Sequence, residues 1–309
     1  MTYLLFIAGL VGLILGGELL IRGAVGIARR LDVPPLVIGL TIVGFGTSTP
    51  ELLVSLQAAL GGVPGLALGN AIGSNIANIL LILGLSAAVI TIPLPFAALT
   101  RDFAVMIGAT VVLWFMLSGN VISRTEGIAL VAGLAGYLWL CLKGARNPMA
   151  EDPDDLSLPP RPIWLSVVLT LLGLVILLAG ARALVGSATE IARAFGVSEA
   201  IIGLTIVAVG TSLPELATAI IAAIRREPEL AVGNILGSNV FNILGIVGVT
   251  ATVTPIPVDP RFSGIDMGLA FAAALAMLAF AVLFGRVGKP AGWALLTSYA
   301  VYVTLLGFG

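Results

Sequence analysis

Apolar residues run along this chain in long stretches, each about as long as a hydrocarbon layer is thick, separated by short polar breaks. The stretches fall at residues 2 to 28, 34 to 60, 65 to 90, 102 to 119, 125 to 143, 163 to 192, 199 to 224, 229 to 253, 264 to 285 and 290 to 307. A spanning helix needs roughly 20 apolar residues, so the pattern predicts an all-α polytopic membrane protein of about ten transmembrane helices. The first stretch continues past Glu18 with no basic leader and no small-residue cleavage site, so it is expected to remain as helix 1. The longest polar break, Lys143 to Pro162, holds Pro148, Pro153, Pro159, Pro160 and Pro162 beside Glu151, Asp152, Asp154 and Asp155. It reads as a linker, and its acidic cluster lacks the spacing of a calcium-binding loop.

Across that linker the chain repeats itself. Residues 38 to 84 match residues 202 to 248 at about 27 of 47 positions, without a gap and at a constant offset of 164. Five spans fall in each half, and an odd number sends the second copy into the bilayer from the opposite side, predicting two inverted five-helix repeats. The expected division is residues 1–144 for the first repeat, 145–161 for a cytoplasmic linker and 162–309 for the second repeat. Basic residues set the orientation. With the N-terminus outside, the inner loops hold Arg29, Arg30, Arg101, Lys143, Arg146, Arg161, Arg225, Arg226, Arg286 and Lys289, and the outer loops hold Arg124, Arg193 and Arg261. Both termini are therefore expected outside, in the plasma or inner membrane of a microbe.

Composition narrows the chemistry. At 59% hydrophobic and 10% charged residues, the chain lies far from soluble domains. A net charge of -1 gives no footing for nucleic acid, leaving lipid as the surrounding partner. With no histidine and one cysteine, Cys141, the commonest transition-metal ligand and an internal disulfide are both excluded, and no cofactor or enzymatic centre is expected.

Polar residues that do enter the spans are duplicated. Gly46, Thr47, Ser48, Pro50 and Glu51 recur as Gly210, Thr211, Ser212, Pro214 and Glu215. Proline removes a backbone donor, so the helix should break here, freeing carbonyls near Thr47 and Thr211 that suit a cation. Glu51 and Glu215 are expected near the middle of long apolar helices without a basic residue in the same span, where a cation offsets the cost of the carboxylate. Helical spacing puts Thr47 with Glu51, Ser74 with Asn78, Thr211 with Glu215 and Ser238 with Asn242. This all-oxygen set selects hard cations such as calcium or sodium over soft metals. The GNxxGSNxxN helices also fit a purely structural reading, because Gly, Ser and Asn pack helices closely and bond across them. Gly69, Gly73, Gly233 and Gly237 are taken as packing positions, and Asn70, Asn234, Asn75 and Asn239 as candidates to support the ligands. Glu18 and Arg22 are expected to pair or snorkel in preference to a role in transport, and Asp102 and Asp266 to cap helix N-termini.

On these two motif pairs the chain resembles the calcium/cation antiporter superfamily, specifically the microbial sodium/calcium exchangers, whose repeats carry GTSxPE and GNxxGSNxxN. The resemblance implies a central ion site lined by Glu51, Glu215, Thr47, Ser48, Thr211, Ser212, Ser74, Ser238, Asn78 and Asn242, with helices 1 and 6 sliding across a fixed core. Asn242 stands where potassium-dependent relatives use aspartate, and Gly73 and Gly237 stand where proton-coupled relatives carry glutamate. The expected function is secondary antiport of calcium against sodium by alternating access. The alternatives are a proton-coupled antiporter of calcium or another divalent cation, a passive cation channel, and an intramembrane hydrolase, the last weakened by the missing histidine. No GxxxxGK[ST] motif is present, so an ion gradient is expected to drive the cycle.

Overall fold

The computed structural model describes residues 1–144, 162–196, 208–259 and 262–308. Helix α1 (Thr2–Leu31) ends at Asp32, whose left-handed φ of 54° lets its N–H reach Ala28 O. The prolines that follow start α2 (Pro35–Thr47), which α3 (Thr49–Leu60) continues after a break. Next come α4 (Gly65–Val89), strand β1 (Ile92–Pro93), α5 (Phe96–Met116), strand β2 (Val121–Ile122) and α6 (Arg124–Gly144). At the start of α6, Ser123 N donates to Glu126 Oε2 at 2.7 Å and Glu126 N donates to Ser123 Oγ at 3.3 Å, a reciprocal cap. The second half holds α7 (Ile163–Ala194), α8 (Ala208–Thr211), α9 (Leu213–Ile224), α10 (Pro228–Val253), strand β3 (Ile256–Pro257), α11 (Phe262–Phe284), strand β4 (Arg286–Val287) and α12 (Lys289–Phe308).

Among the described residues, seven helices are long and apolar enough to cross a membrane, or eight if α2 and α3 form one broken span. The expected span at 199 to 224 lies partly outside the described residues, and the linker at 145–161 lies wholly outside them. The fourth span begins at Phe96 and not at Asp102, because the polar run Thr100, Arg101, Asp102 is carried inside the helix. Its charges are matched there: Asp102 is fully buried and accepts from Arg101 Nη2 at 2.8 Å and Tyr137 Oη at 3.1 Å, while Arg101 Nη1 donates to Leu140 O at 3.1 Å. The expected capping role of Asp102 is thereby overturned. Asp266 does stand at the start of the regular helix from Met267, but its side chain makes no capping bond.

The chain divides into two compact units. One comprises Met1–Thr47, Leu142–Asn234 and Ala300–Gly309. In it α1 and α7 run against each other with main chains nearly touching. A Cβ added to Gly9 would lie 2.7 Å from Leu184 N, and one added to Gly180 would lie 2.8 Å from Leu13 N, so neither position accepts a side chain. Glu18 on α1 pairs with Arg22, as expected from their spacing, and also accepts from Arg225 Nε at 2.7 Å.

The other unit comprises Ser48–Cys141 and Ile235–Tyr299. Two short antiparallel ladders tie its loops: β1 pairs with β4 (Ile92 opposite Val287) and β2 with β3 (Ile122 opposite Ile256). Helices α5 and α11 meet through Trp114, whose ring stands edge-on to Phe271 at 5.5 Å and whose Nε1 donates to Ser263 O at 2.9 Å. Within α4 and α10 the hydrogen bonding shifts to the wider π pattern at Ala77–Leu83 and Phe241–Val247, two stretches related by the repeat offset. Apolar periodicity gave no sign of this, since residue spacing changes little between the two helix types. Each π stretch opens one residue before a motif asparagine, Asn78 or Asn242. Such stretches concentrate at functional positions.

Candidate functional site

Both glutamate motifs break their helices at the serine. Ser48 (φ −85°, ψ 7°) precedes α3 and Ser212 (φ −87°, ψ 5°) precedes α9, with Pro50 and Pro214 at the second helical position of each. Proline lacks an N–H, so the carbonyls of Gly46 and Gly210 lose their α-helical donors. Glu51 and Glu215 therefore sit in the first turn of a new helix and not in mid-helix as expected. That position carries the positive end of the helix dipole, which favours an ionised carboxylate by about 0.3–1 kcal/mol, and more where solvent is excluded. Ser48 and Ser212 occupy cap positions, yet neither side chain makes a capping bond.

Nine of the ten expected ligands are buried, with Glu51 1% and Glu215 3% exposed, and Thr211 is half-buried. In the unit that holds Ser48, Glu51, Ser74, Asn78, Ser238 and Asn242, Asn70 fixes the start of α3. Its Nδ2 donates to Glu51 O at 3.0 Å and to Ser55 Oγ at 2.9 Å. Asn75 Nδ2 donates to Asn239 O at 3.2 Å, and Asn242 Nδ2 donates to Asn75 Oδ1 at 2.9 Å. Asn78 is 1% exposed, and among the described residues neither atom of its amide has a hydrogen-bond partner, nor has Asn242 Oδ1. Buried amides left in this way cost about 1–3 kcal/mol each unless something else meets them, as a cation would meet the oxygens.

The other unit holds Thr47, Thr211, Ser212 and Glu215. Here Asn234 repeats the role of Asn70: its Nδ2 donates to Glu215 O at 3.4 Å, and its Oδ1 lies 3.1 Å from the Thr47 hydroxyl. That hydroxyl also lies 3.1 Å from Val43 O. The asparagine that opens each GNxxGSNxxN motif thus holds the main chain of the glutamate in its own repeat. Sequence reasoning gave Asn70 and Asn234 only a general supporting role; their constant distance of 19 residues from each glutamate was the available signal.

The motif glycines divide. A Cβ on Gly233 would lie 2.6 Å from Leu36 O, which makes it a packing position as expected. A Cβ on Gly69 would lie 3.4 Å from Phe262, an ordinary contact, and one on Gly73 would meet nothing within 4 Å, so the packing assignment is corrected for these two. Cys141 is a buried free thiol. Among the described residues no three Asp, Glu, His or Cys side chains gather.

Long apolar helices, duplicated breaks and buried oxygen donors define an integral membrane transporter of cations, not an enzyme. Comparison with known proteins makes this specific: the chain belongs to the sodium/calcium exchanger protein family, whose model matches residues 1–143 and 165–308. It is 40% identical to the putative antiporter CaxA of Alkalimonas amylolytica, over 97% of each chain. It is 27% identical to the sodium/calcium exchanger MaX1 of Methanosarcina acetivorans, over 99% of this chain and 98% of the other. A solved structure of the sodium-calcium exchanger NCX_Mj, soaked with sodium and without calcium, matches with a TM-score of 0.85 at 32% identity, covering 98% of this chain and 99% of that one. Members of this family transport sodium and calcium and need no cofactor.

Proposed function

We propose that this protein exchanges calcium for sodium by alternating access, with Glu51 and Glu215 serving the same transported ion. The observation that carries the reading is a pair of duplicated carboxylates, 1% and 3% exposed, each on a helix without Lys or Arg, set among buried neutral oxygens. Two carboxylates match the charge of one calcium ion. Thr47, Ser48, Ser74, Asn78 and their repeat counterparts Thr211, Ser212, Ser238 and Asn242 supply the neutral oxygens, which divide into positions for several sodium ions. These hydroxyls and amides do not exchange protons near neutral pH, leaving the two glutamates as the only proton carriers in the set. More than two sodium ions per calcium makes the exchange electrogenic.

The reading includes ten spans in two inverted repeats, with both termini outside the plasma or inner membrane. Strand pairing supports the inversion. β1 and β3 are related by the repeat offset, yet β3 pairs with β2, one helix (α5) away from β1. Equivalent segments therefore lie at opposite ends of α5, as two-fold inversion requires.

The test is calcium-45 efflux from loaded proteoliposomes, with external sodium compared against choline, potassium and a proton gradient at clamped voltage. Efflux driven by sodium alone is expected. Efflux that follows the proton gradient and ignores sodium assigns the chain to proton coupling, and efflux needing no counter-ion assigns it to a channel.

A further inference from the structure

Four asparagines in one unit, Asn75 and Asn78 on α4 and Asn239 and Asn242 on α10, are related in pairs by the repeat offset but are bonded differently. Asn75 Nδ2 donates to the main-chain carbonyl of Asn239 at 3.2 Å. A carbonyl only accepts, so this contact settles which end of the Asn75 amide is nitrogen. Its oxygen then faces Asn242, whose Nδ2 donates to it at 2.9 Å. Reversing the Asn242 amide would set two oxygens against each other, so the relay holds Asn242 Oδ1 at the opposite end, buried and with no hydrogen-bond partner among the described residues. The counterpart relay is not closed. Asn239 Nδ2 turns back to Ile235 O at 2.7 Å, and among the described residues Asn239 Oδ1 and both amide atoms of Asn78 have no hydrogen-bond partner.

We propose that Asn75 is a positioning residue for ion binding, fixing the Asn242 amide so that its oxygen and not its NH2 group faces the cation. The proposal rests on the reading of Asn242 as an ion ligand. An amide free to turn would offer its nitrogen end, which repels a cation, for part of the time. With Asn75 in place, the oxygen is set before the ion arrives. Asn78 lacks such a brace, so the two repeats contribute unequal amides in this state although their motifs are the same. Groups that orient a ligand from behind typically change metal affinity about 10–100-fold when removed.

The experiment is a double-substitution cycle on the purified full chain, read by calcium-45 binding and by the half-saturating calcium concentration and maximal rate of exchange in proteoliposomes. Asn75→Ala is expected to raise the half-saturating concentration about tenfold or more while the maximal rate changes less. In an Asn242→Asp background both ends of the side chain are oxygen and orientation loses its meaning, so adding Asn75→Ala is expected to shift binding less than about threefold. Equal shifts in the two backgrounds would overturn the proposal, since a purely structural Asn75 acts in both alike. Asn75→Asp keeps an acceptor for Asn242 but gives up the donor to Asn239 O, and it covers the case in which the alanine variant does not fold. With that acceptor retained it is expected to shift calcium binding less than the tenfold expected of Asn75→Ala, and a shift of about tenfold or more also overturns the proposal. Calcium binding by the unsubstituted protein with no shift in Asn75→Ala removes this inference alone. No calcium binding by the unsubstituted protein removes the antiport reading and this inference with it.

Discussion

Replacing Gly233 by alanine would place a methyl group 2.6 Å from Leu36 O, 3.0 Å from Leu40 N and 3.1 Å from Gly39 Cα. A carbon normally stands about 3.3 Å or more from a carbonyl oxygen, so α2 and α10 must part locally by roughly 0.7 Å. Main-chain atoms cannot rotate aside as a side chain can. Overpacking of this kind costs about 1–3 kcal/mol, offset by the roughly 1 kcal/mol that alanine gains over glycine in a helix interior. Gly69 holds the same place in the first repeat, but its added methyl would meet only the Phe262 ring at 3.4 Å, so Gly69→Ala keeps the propensity gain. The two variants should therefore differ by about 2 kcal/mol, or roughly 4–8 °C in the temperature at which half of the monodisperse protein is lost. Heating detergent-purified variants before size-exclusion chromatography measures this. A Gly233→Ala protein as heat-stable as Gly69→Ala would refute the close approach of α2 and α10 at that point.

Glu51→Gln and Glu215→Gln should each nearly abolish calcium-45 exchange while leaving the chromatographic profile unchanged, since one carboxylate does not balance a desolvated divalent ion. Substantial exchange by either purified variant would remove the two-glutamate reading. Glu18→Gln loses partners in Arg22 and Arg225 on a partly exposed side chain, so stability should fall by no more than about 1 kcal/mol, with the difference shrinking in high salt. A cysteine at Ser157, a position outside the described residues, should react with an impermeant reagent only from the cytoplasmic side, and one at Val63 only from outside. Cys141 is buried and should contribute little background to that assay, and reaction of the Ser157 cysteine from outside would reverse the orientation.

Among the described residues hydropathy alone located nearly every helix, because in lipid an unbonded main chain is so costly that apolar length and helix coincide. The duplicated motifs likewise marked Glu51, Glu215 and their neighbours, because a carboxylate in an apolar span demands a reason wherever the chain folds. Proline and glycine announced the breaks through local stereochemistry. What the sequence did not determine depended on which groups meet. Asp102 looks like a helix cap when read beside Thr100 and Arg101, and only the approach of Tyr137 and the Arg101 side chain makes it a buried acceptor inside α5. Gly69 and Gly233 occupy identical motif positions, yet one faces a ring edge and the other a carbonyl. Asn75 and Asn239 are equally indistinguishable in sequence, while one braces Asn242 and the other bonds back to its own helix. Motif identity fixes which donors and acceptors a repeat carries; the packing of helices from different parts of the chain decides which of them find partners.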